Sequence, residues 1–379
     1  MNHFVATAMI VGLFAAAAQA DLILPQFRTN VEIYRVFGQE HPGPYKHPAA
    51  ITQLKDGRLY IAYYGGDNEY DKQTAVYGSC APPERFSELK ERFHADAATL
   101  WKDYWSFPVP IATAPFQGVG NPVVWQAPDG LVWLFYNNQH GDTWSNARVM
   151  AKISEDGAKT WSDAFLLAME EGSMVRGQPI VLNNGDYLLP MYHETGDDRE
   201  RSAEDTCSYF LRYNPETQKW TETNRIKSPN GNLQPQVVQI SDTELFCFMR
   251  RGGGYEPTTD GWMLRASSSD GGYTWTDAEP TDFPNPNSAV ELIKLRNGNL
   301  LLVYNDNMND RTPLAVSVST DNGKTWPHKR IIAGGQNTYA YPYAIQGDDG
   351  KIYLIYTTNS RTTIMMAVFE EAAITEYEE

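Results

Sequence analysis

The chain has 379 residues, 42% of them hydrophobic and 12% aromatic, which is enough for a large core. Only 21% are charged, so the composition excludes a disordered chain apart from short tails. A formal net charge of −16 argues against nucleic acid and anionic membranes as partners, while local arginines can still hold an anion.

In chain order, residues 4–18 form an apolar run that ends in Ala18-Gln19-Ala20. This pattern predicts a secretory signal peptide over residues 1–20, cut before Asp21, although its first residues lack Lys and Arg. The run is short for a membrane span, and no other stretch is long enough. The expected product is a soluble chain, secreted or periplasmic.

Six tight-turn signals follow, at Asp56-Gly57, Asp129-Gly130, Asn184-Gly185, Asp242-Thr243, Asn297-Gly298 and Asp349-Gly350. Each leads into an apolar stretch, at residues 59–64, 132–136, 187–192, 245–249, 300–304 and 352–356. A recurrence of 52 to 73 residues indicates a repeat architecture. Six units of about four strands predict an all-β, six-bladed propeller over residues 21–369. The long first interval predicts an insertion at about 80–116, with Pro82-Pro83 and a helical stretch at 84–105. The acidic residues 370–379 are expected to fray. Trp133, Phe135 and Tyr136 read as core.

Three cysteines cannot form a complete disulfide framework. Cys247 sits in an apolar strand, and a Cys80–Cys207 pair stays open. No Cys/His spacing fits a structural zinc site, and nothing points to a redox or nucleotide cofactor. Bound calcium is left undecided.

Three octads share one spacing: S-E-D-G-A-K-T-W from Ser154, S-S-D-G-G-Y-T-W from Ser268 and S-T-D-N-G-K-T-W from Ser319. Ser and Asp side chains can bond the turn's own amides, and Gly or Asn tolerates positive φ. These octads are similar to the Asp-box of the sialidase superfamily. On them the chain resembles a sialidase-like six-bladed propeller, in which the octads mark outer hairpins and take no part in catalysis.

The strand before each turn opens on a polar residue, usually followed by proline. The pairs are His47-Pro48, Asn121-Pro122, Gln178-Pro179, Gln234-Pro235, Asn287-Ser288 and Tyr341-Pro342. Such pairs can simply start strands. In a propeller they also converge on one mouth of the channel, together with the ends of the following strands: Asp67, His140, His193 with Glu194, Arg250, and Asn305 with Asp306.

Sialidases hold a sugar carboxylate with three arginines and attack with a tyrosine that a glutamate activates, with an aspartate as acid/base. The resemblance implies Arg250 and Arg311 as two of the arginines and Tyr341 as the nucleophile. Lys46 or His47 stands where the first arginine is expected, and Gln234 stands where the glutamate is expected. Gln cannot take a proton. Asp67 and Asp71 are the acid/base candidates. Arg176 is a further anion-binding candidate, His140 and His193 are possible proton carriers, and Glu194 and Glu291 are spare acids or bases.

The leading expectation is a secreted glycoside hydrolase that removes a terminal acidic sugar from glycans. A lyase or related glycosidase acting on uronate-containing glycans is the second; in the lyase, Arg250 neutralises the uronate carboxylate and His47, His193 or Tyr341 moves protons. A non-catalytic glycan-binding propeller is the third.

Overall fold

The computed structural model describes residues 30–82 and 104–377. The expected signal peptide and most of the expected 84–105 helix lie outside the described residues. Of that helix only Tyr104 and Trp105 are described, and both are buried, Trp105 against Phe37.

The strands form six antiparallel sheets arranged as a propeller. The first blade is β2 (Tyr45–Gln53), β3 (Leu59–Gly66), β4 (Ala75–Ala81) and β5 (Val109–Ala112); the second is β6 (Gly118–Gln126), β7 (Val132–Gln139), β8 (Ala147–Ser154) and β9 (Phe165–Ala168). In the third the inner strand is split into β10 (Ser173–Val175) and β11 (Ile180–Val181), followed by β12 (Tyr187–His193), β13 (Cys207–Asn214) and β14 (Lys219–Glu222). The fourth blade is β15 (Asn232–Gln239), β16 (Leu245–Arg251), β17 (Trp262–Ser268) and β18 (Glu279–Pro284). The fifth is β19 (Glu291–Lys294), β20 (Leu300–Asn305), β21 (Leu314–Ser319) and β22 (His328–Ala333). The sixth joins β23 (Ala340–Gln346), β24 (Ile352–Thr358) and β25 (Thr363–Phe369) to β1 (Val31–Phe37).

Pairing of β1 with β25, from Val31 opposite Phe369, closes the ring with backbone hydrogen bonds. Closure in this way gives the last blade its outermost strand and ties the start of the propeller to its end. Burial falls from the axis outward. Every residue of β15 is buried, whereas its blade's outermost strand β18 is exposed or half-buried throughout. The apolar runs that follow each turn are the second strands, covered on both faces by neighbouring blades.

The three octads fold identically. In the first, Ser154 Oγ donates to Asp156 Oδ1 at 2.8 Å, and the same carboxylate accepts the Thr160 amide at 2.9 Å and the Thr160 hydroxyl at 2.6 Å. Ser268 with Asp270 and Ser319 with Asp321 repeat the pattern. Each turn joins the third and fourth strands of its blade, on the face that carries the Asp/Asn-Gly hairpins. Arg58, beside the first hairpin, donates to the Gly157 carbonyl of the first octad at 2.8 Å.

The tail departs from expectation. Residues Ala372–Thr375 form a helical turn with Ala373 and Ile374 buried, and Arg330 Nη1 donates to the Ala373 carbonyl at 2.7 Å. The acidic residues around it had masked this apolar pair. All three cysteines are free thiols. No helix among the described residues is long and apolar enough to cross a membrane.

Candidate functional site: an arginine-rich channel mouth

The inner strands are not regular. Their pairing slips between Lys46 and Ala49, Gly120 and Val123, Leu233 and Gln236, and Ala340 and Tyr343. Each slip is a bulge at an X-Pro pair, since proline lacks the amide a continuous ladder needs. At three of them, and at Asn287-Ser288, the X residue is forced into the left-handed region: Asn121 at φ 45°, Gln234 at 58°, Asn287 at 56° and Tyr341 at 53°. Each such residue costs on the order of 1–2 kcal/mol. The strain recurs at equivalent positions around one opening of the channel.

In the third blade the same level is occupied by Arg176 rather than Gln178. Val175 pairs with Met191 and Ile180 with Leu188, so four residues, 176–179, bulge opposite two. The longer bulge moves Gln178 to the opposite opening, where it lines a different cavity. Spacing from the turn could not reveal the two extra residues.

Tyr341 is the centre of the mouth. Its hydroxyl oxygen accepts from Arg250 Nη1 at 3.0 Å and faces Gln234 Nε2 at 3.3 Å. Arg250 Nη1 also donates to Gln234 Oε1 at 3.3 Å, which orients the amide so that its NH₂ points at Tyr341. Two donors therefore converge on one phenol oxygen. Burial alone would raise the phenol's pKa, but the positive charges of Arg250 and Arg311 outweigh it and the net shift is downward.

Arg250 is buried and fully engaged. Nε donates to Asn287 Oδ1 at 2.6 Å and Nη2 to the Tyr255 hydroxyl at 2.8 Å. Arg311 Nη2 donates to the same hydroxyl at 3.2 Å and to the Asn287 carbonyl at 3.1 Å, while its buried Nη1 has no partner among the described residues. Tyr255 follows Gly252-Gly253-Gly254, and its oxygen sits between two guanidinium groups, where a carboxylate oxygen would fit.

A third guanidinium comes from Arg361, in the loop between β24 and β25. Asn359, Ser360 and Arg361 all have positive φ. Arg361 Nη1 donates to Tyr45 Oη at 2.9 Å and to Glu69 Oε2. Glu69 also accepts from Tyr45 Oη at 2.8 Å and from Trp144 Nε1 at 3.2 Å. Arg250, Arg311, Arg361, Tyr341, Gln234 and Glu194 border one small cavity of about 40 Å³. Burial, reinforced by Glu69 and opposed by Arg250, pushes the Glu194 carboxyl up to about 7.

Other expected residues lie elsewhere. Lys46 Nζ turns away from the mouth to the carbonyls of His41 and Gly43, at 3.1 and 2.5 Å, and burial pushes its pKa down to about 8. Strand alternation explains this, because Tyr45 takes the inward position. His47 is buried behind Tyr341, with ring centroids 4.1 Å apart. Thr357 Oγ1 donates to the Ala340 carbonyl at 3.1 Å, so it accepts from His47 Nδ1 at 2.9 Å. Burial among four arginines holds the His47 pKa well below 6.5, which keeps the ring neutral. Arg176 lies beneath the site and donates to the carbonyls of Tyr341 at 3.1 Å and Pro342 at 2.7 Å. It supports the Tyr341 backbone and does not border the mouth cavity.

Asp67 and Asp71 build the first-blade loop: Asp71 accepts the amides of Asp67 at 3.1 Å and Gln73 at 2.9 Å. Neither carboxylate borders the mouth cavity; the loop sends Glu69 there instead. His140 is exposed and bonded to Gln117 at 3.0 Å; burial of its ring and nearby Arg148 lower its pKa. His193 bonds the Glu171 carbonyl at 2.9 Å, pointing opposite to its neighbours Tyr192 and Glu194. Sequence reading missed Arg361, Glu69 and Tyr255. Extending the list of strand ends to the sixth blade would have found Arg361.

The BNR repeat-like domain matches residues 57–354. No curated protein matches the chain. Among solved structures it is similar to a Hadza microbial sialidase, at 18% identity and TM-score 0.71, over 90% of this chain and 69% of that one. A protein of unknown function from Dyadobacter fermentans aligns at 16% identity and TM-score 0.70, over 90% of this chain and 98% of the other. The NanB sialidase of Streptococcus pneumoniae aligns at 11% identity and TM-score 0.69, over 89% and 70%. At such identities the likeness carries the fold and leaves chemistry to the residues. With six blades in a sialidase-like ring and a family match over residues 57–354, the chain belongs to the BNR repeat-like family of sialidase-like propeller proteins.

Proposed function

We propose that the protein is an exported glycoside hydrolase that removes a terminal acidic sugar, sialic acid or a related sugar acid, from glycans. The observation that carries this reading is the Tyr341 hydroxyl, 3.0 Å from Arg250 Nη1 in a mouth shared with Arg311 and Arg361. An anionic sugar would place its carboxylate between Arg250 and Arg311. It would displace the Tyr255 phenol from both, and the free Nη1 of Arg311 would take up a further oxygen. Arg361, held in place by Glu69 and Tyr45, would supply the third positive charge.

Tyr341 is then the nucleophile. Gln234 cannot remove its proton, but it does not need to. Arg250 and Gln234 both donate toward the phenol oxygen, and hydrogen bonds to the charged form favour phenolate. The proton leaves to water before attack. Phenolate adds to the anomeric carbon as the glycosidic C–O bond breaks, giving a covalent glycosyl-tyrosine that water later hydrolyses. A tyrosine avoids setting a second carboxylate against the substrate's own. A lyase reading loses both of its histidines, because His193 faces away from the mouth and His47 is buried behind Tyr341, which leaves it Tyr341 alone to move protons.

The test is a fluorogenic sialoside alongside a panel of uronate polysaccharides. Fluorophore release that Tyr341→Phe reduces by 10³-fold or more is expected. Formation of unsaturated ends without fluorophore release would replace the hydrolase with a lyase. Binding without turnover on either substrate would leave a glycan-binding propeller.

A further inference from the structure

Resting on the hydrolase reading, we infer that Glu194, from the third blade, is the catalytic acid/base that protonates the departing oxygen and then activates water. The first-blade loop offers no carboxylate for this task. Asp67 and Asp71 lie outside the mouth cavity. Glu69 enters it, but it is ion-paired with Arg361 and accepts from Tyr45 and Arg361 at Oε2 and from Trp144 at Oε1, so it is committed to holding those three side chains. Glu200 is exposed at the rim. Glu194 differs from all of these. It follows β12, where Tyr192 points into the mouth to accept from Asn121 at 3.0 Å, His193 points out, and Glu194 returns to the inner side. It is half-buried, it borders the same cavity as Tyr341 and Arg250, and no hydrogen bond from the described residues reaches its carboxylate. Its backbone is fixed, with the amide donating to the Gly172 carbonyl at 2.9 Å. Burial pushes its carboxyl to about 7, so near neutrality it holds a proton much of the time and can also release one.

The steps balance. In the first, Tyr341 Oη forms a bond to the anomeric carbon, the glycosidic C–O bond breaks, and the Glu194 proton moves to the departing oxygen. In the second, ionised Glu194 takes a proton from water, the hydroxide oxygen bonds to the anomeric carbon, and Tyr341 leaves as phenolate. Enzyme, charge and proton count return to their starting values.

The experiment uses the full chain with two substrates that share one sugar: a 4-methylumbelliferyl sialoside, whose leaving group needs little protonation, and sialyllactose, whose leaving group needs a proton. Glu194→Gln is expected to lower kcat/KM on sialyllactose by about 10²–10⁴-fold and on the aryl substrate by much less in the glycosylation step. The alkaline limb of the wild-type pH profile should vanish, and azide should restore turnover of the aryl substrate. Glu194→Asp, which keeps an acid, should retain more activity than Glu194→Gln at equal folding by circular dichroism. Equal losses on both substrates, with the alkaline limb kept and no azide effect, would overturn the assignment while leaving the hydrolase reading intact. A wild-type protein inactive on both substrates would remove both.

Discussion

The two ends of the channel are built on opposite plans. At the hairpin end one device recurs. Gln53, Gln126, Gln239 and Gln346 each close an inner strand, and each side-chain oxygen accepts a backbone amide from the turn of the neighbouring blade: Asp348 at 2.7 Å, Lys55 at 2.5 Å, Asn183 at 2.8 Å and Arg296 at 2.8 Å. The amide nitrogens reach back to their own turns, as Gln126 does to the Gly130 carbonyl at 2.8 Å. At the bulge end the equivalent positions are His47, Asn121, Arg176, Gln234, Asn287 and Tyr341. Repetition at one end stitches blades together, and divergence at the other makes a site. Cavity size points the wrong way here. The hairpin end encloses about 620 Å³ and the arginine mouth about 40 Å³. The small cavity is the one we propose as the site, and Tyr255 and the three arginines border it.

This contrast is sharpest for variants that separate activity from stability. Arg250→Lys keeps the charge but loses the planar fork that serves Asn287, Gln234, Tyr341 and Tyr255 together. Turnover should fall by about 10²–10³-fold, with about 1–3 kcal/mol of stability lost from orphaned buried partners. Steady-state kinetics and urea unfolding on one preparation check both numbers, and full activity in this variant would dissolve the comparison.

Gln346→Ala should do the reverse. It removes the bonds to the Arg296 amide at 2.8 Å and the Gly350 carbonyl at 2.9 Å. The expected cost is about 1–2 kcal/mol, with kcat/KM unchanged within roughly twofold. A large kinetic effect would mean that the hairpin end also shapes the site.

The smallest effect concerns pH. Glu291 is fully buried in the channel wall, its oxygens have no hydrogen-bond partner among the described residues, and burial pushes its pKa to about 8 against the pull of Arg176. The folded protein therefore keeps a proton that the unfolded chain releases near 4.5. Its contribution to stability is complete below that value and is lost as pH rises through about 8. Glu194 has the same sign up to about 7. Glu291→Gln should flatten the decline of Tm between acidic and mildly alkaline buffer. Parallel Tm curves for the two proteins would contradict this account.

Short-range chemistry was legible in the sequence. Asp/Asn-Gly turns, the serine–aspartate octads and the apolar second strands each depend on residues a few positions apart, so their spacing alone predicts six blades. The positions of Arg250, Arg311 and Tyr341 could be carried over from the family resemblance because they sit on such repeats. What the tertiary structure decided was convergence. Arg361 meets Tyr45 across 316 positions of sequence, and Arg250 meets Tyr341 across 91. Two extra residues in the third-blade bulge exchanged Gln178 for Arg176, and strand alternation turned Lys46 and His193 outward while leaving Tyr45 and Glu194 inward. Local hydrogen bonds set the blades; only closing the ring sets which unlike side chains share one mouth, because that depends on register and bulge length summed around the circle.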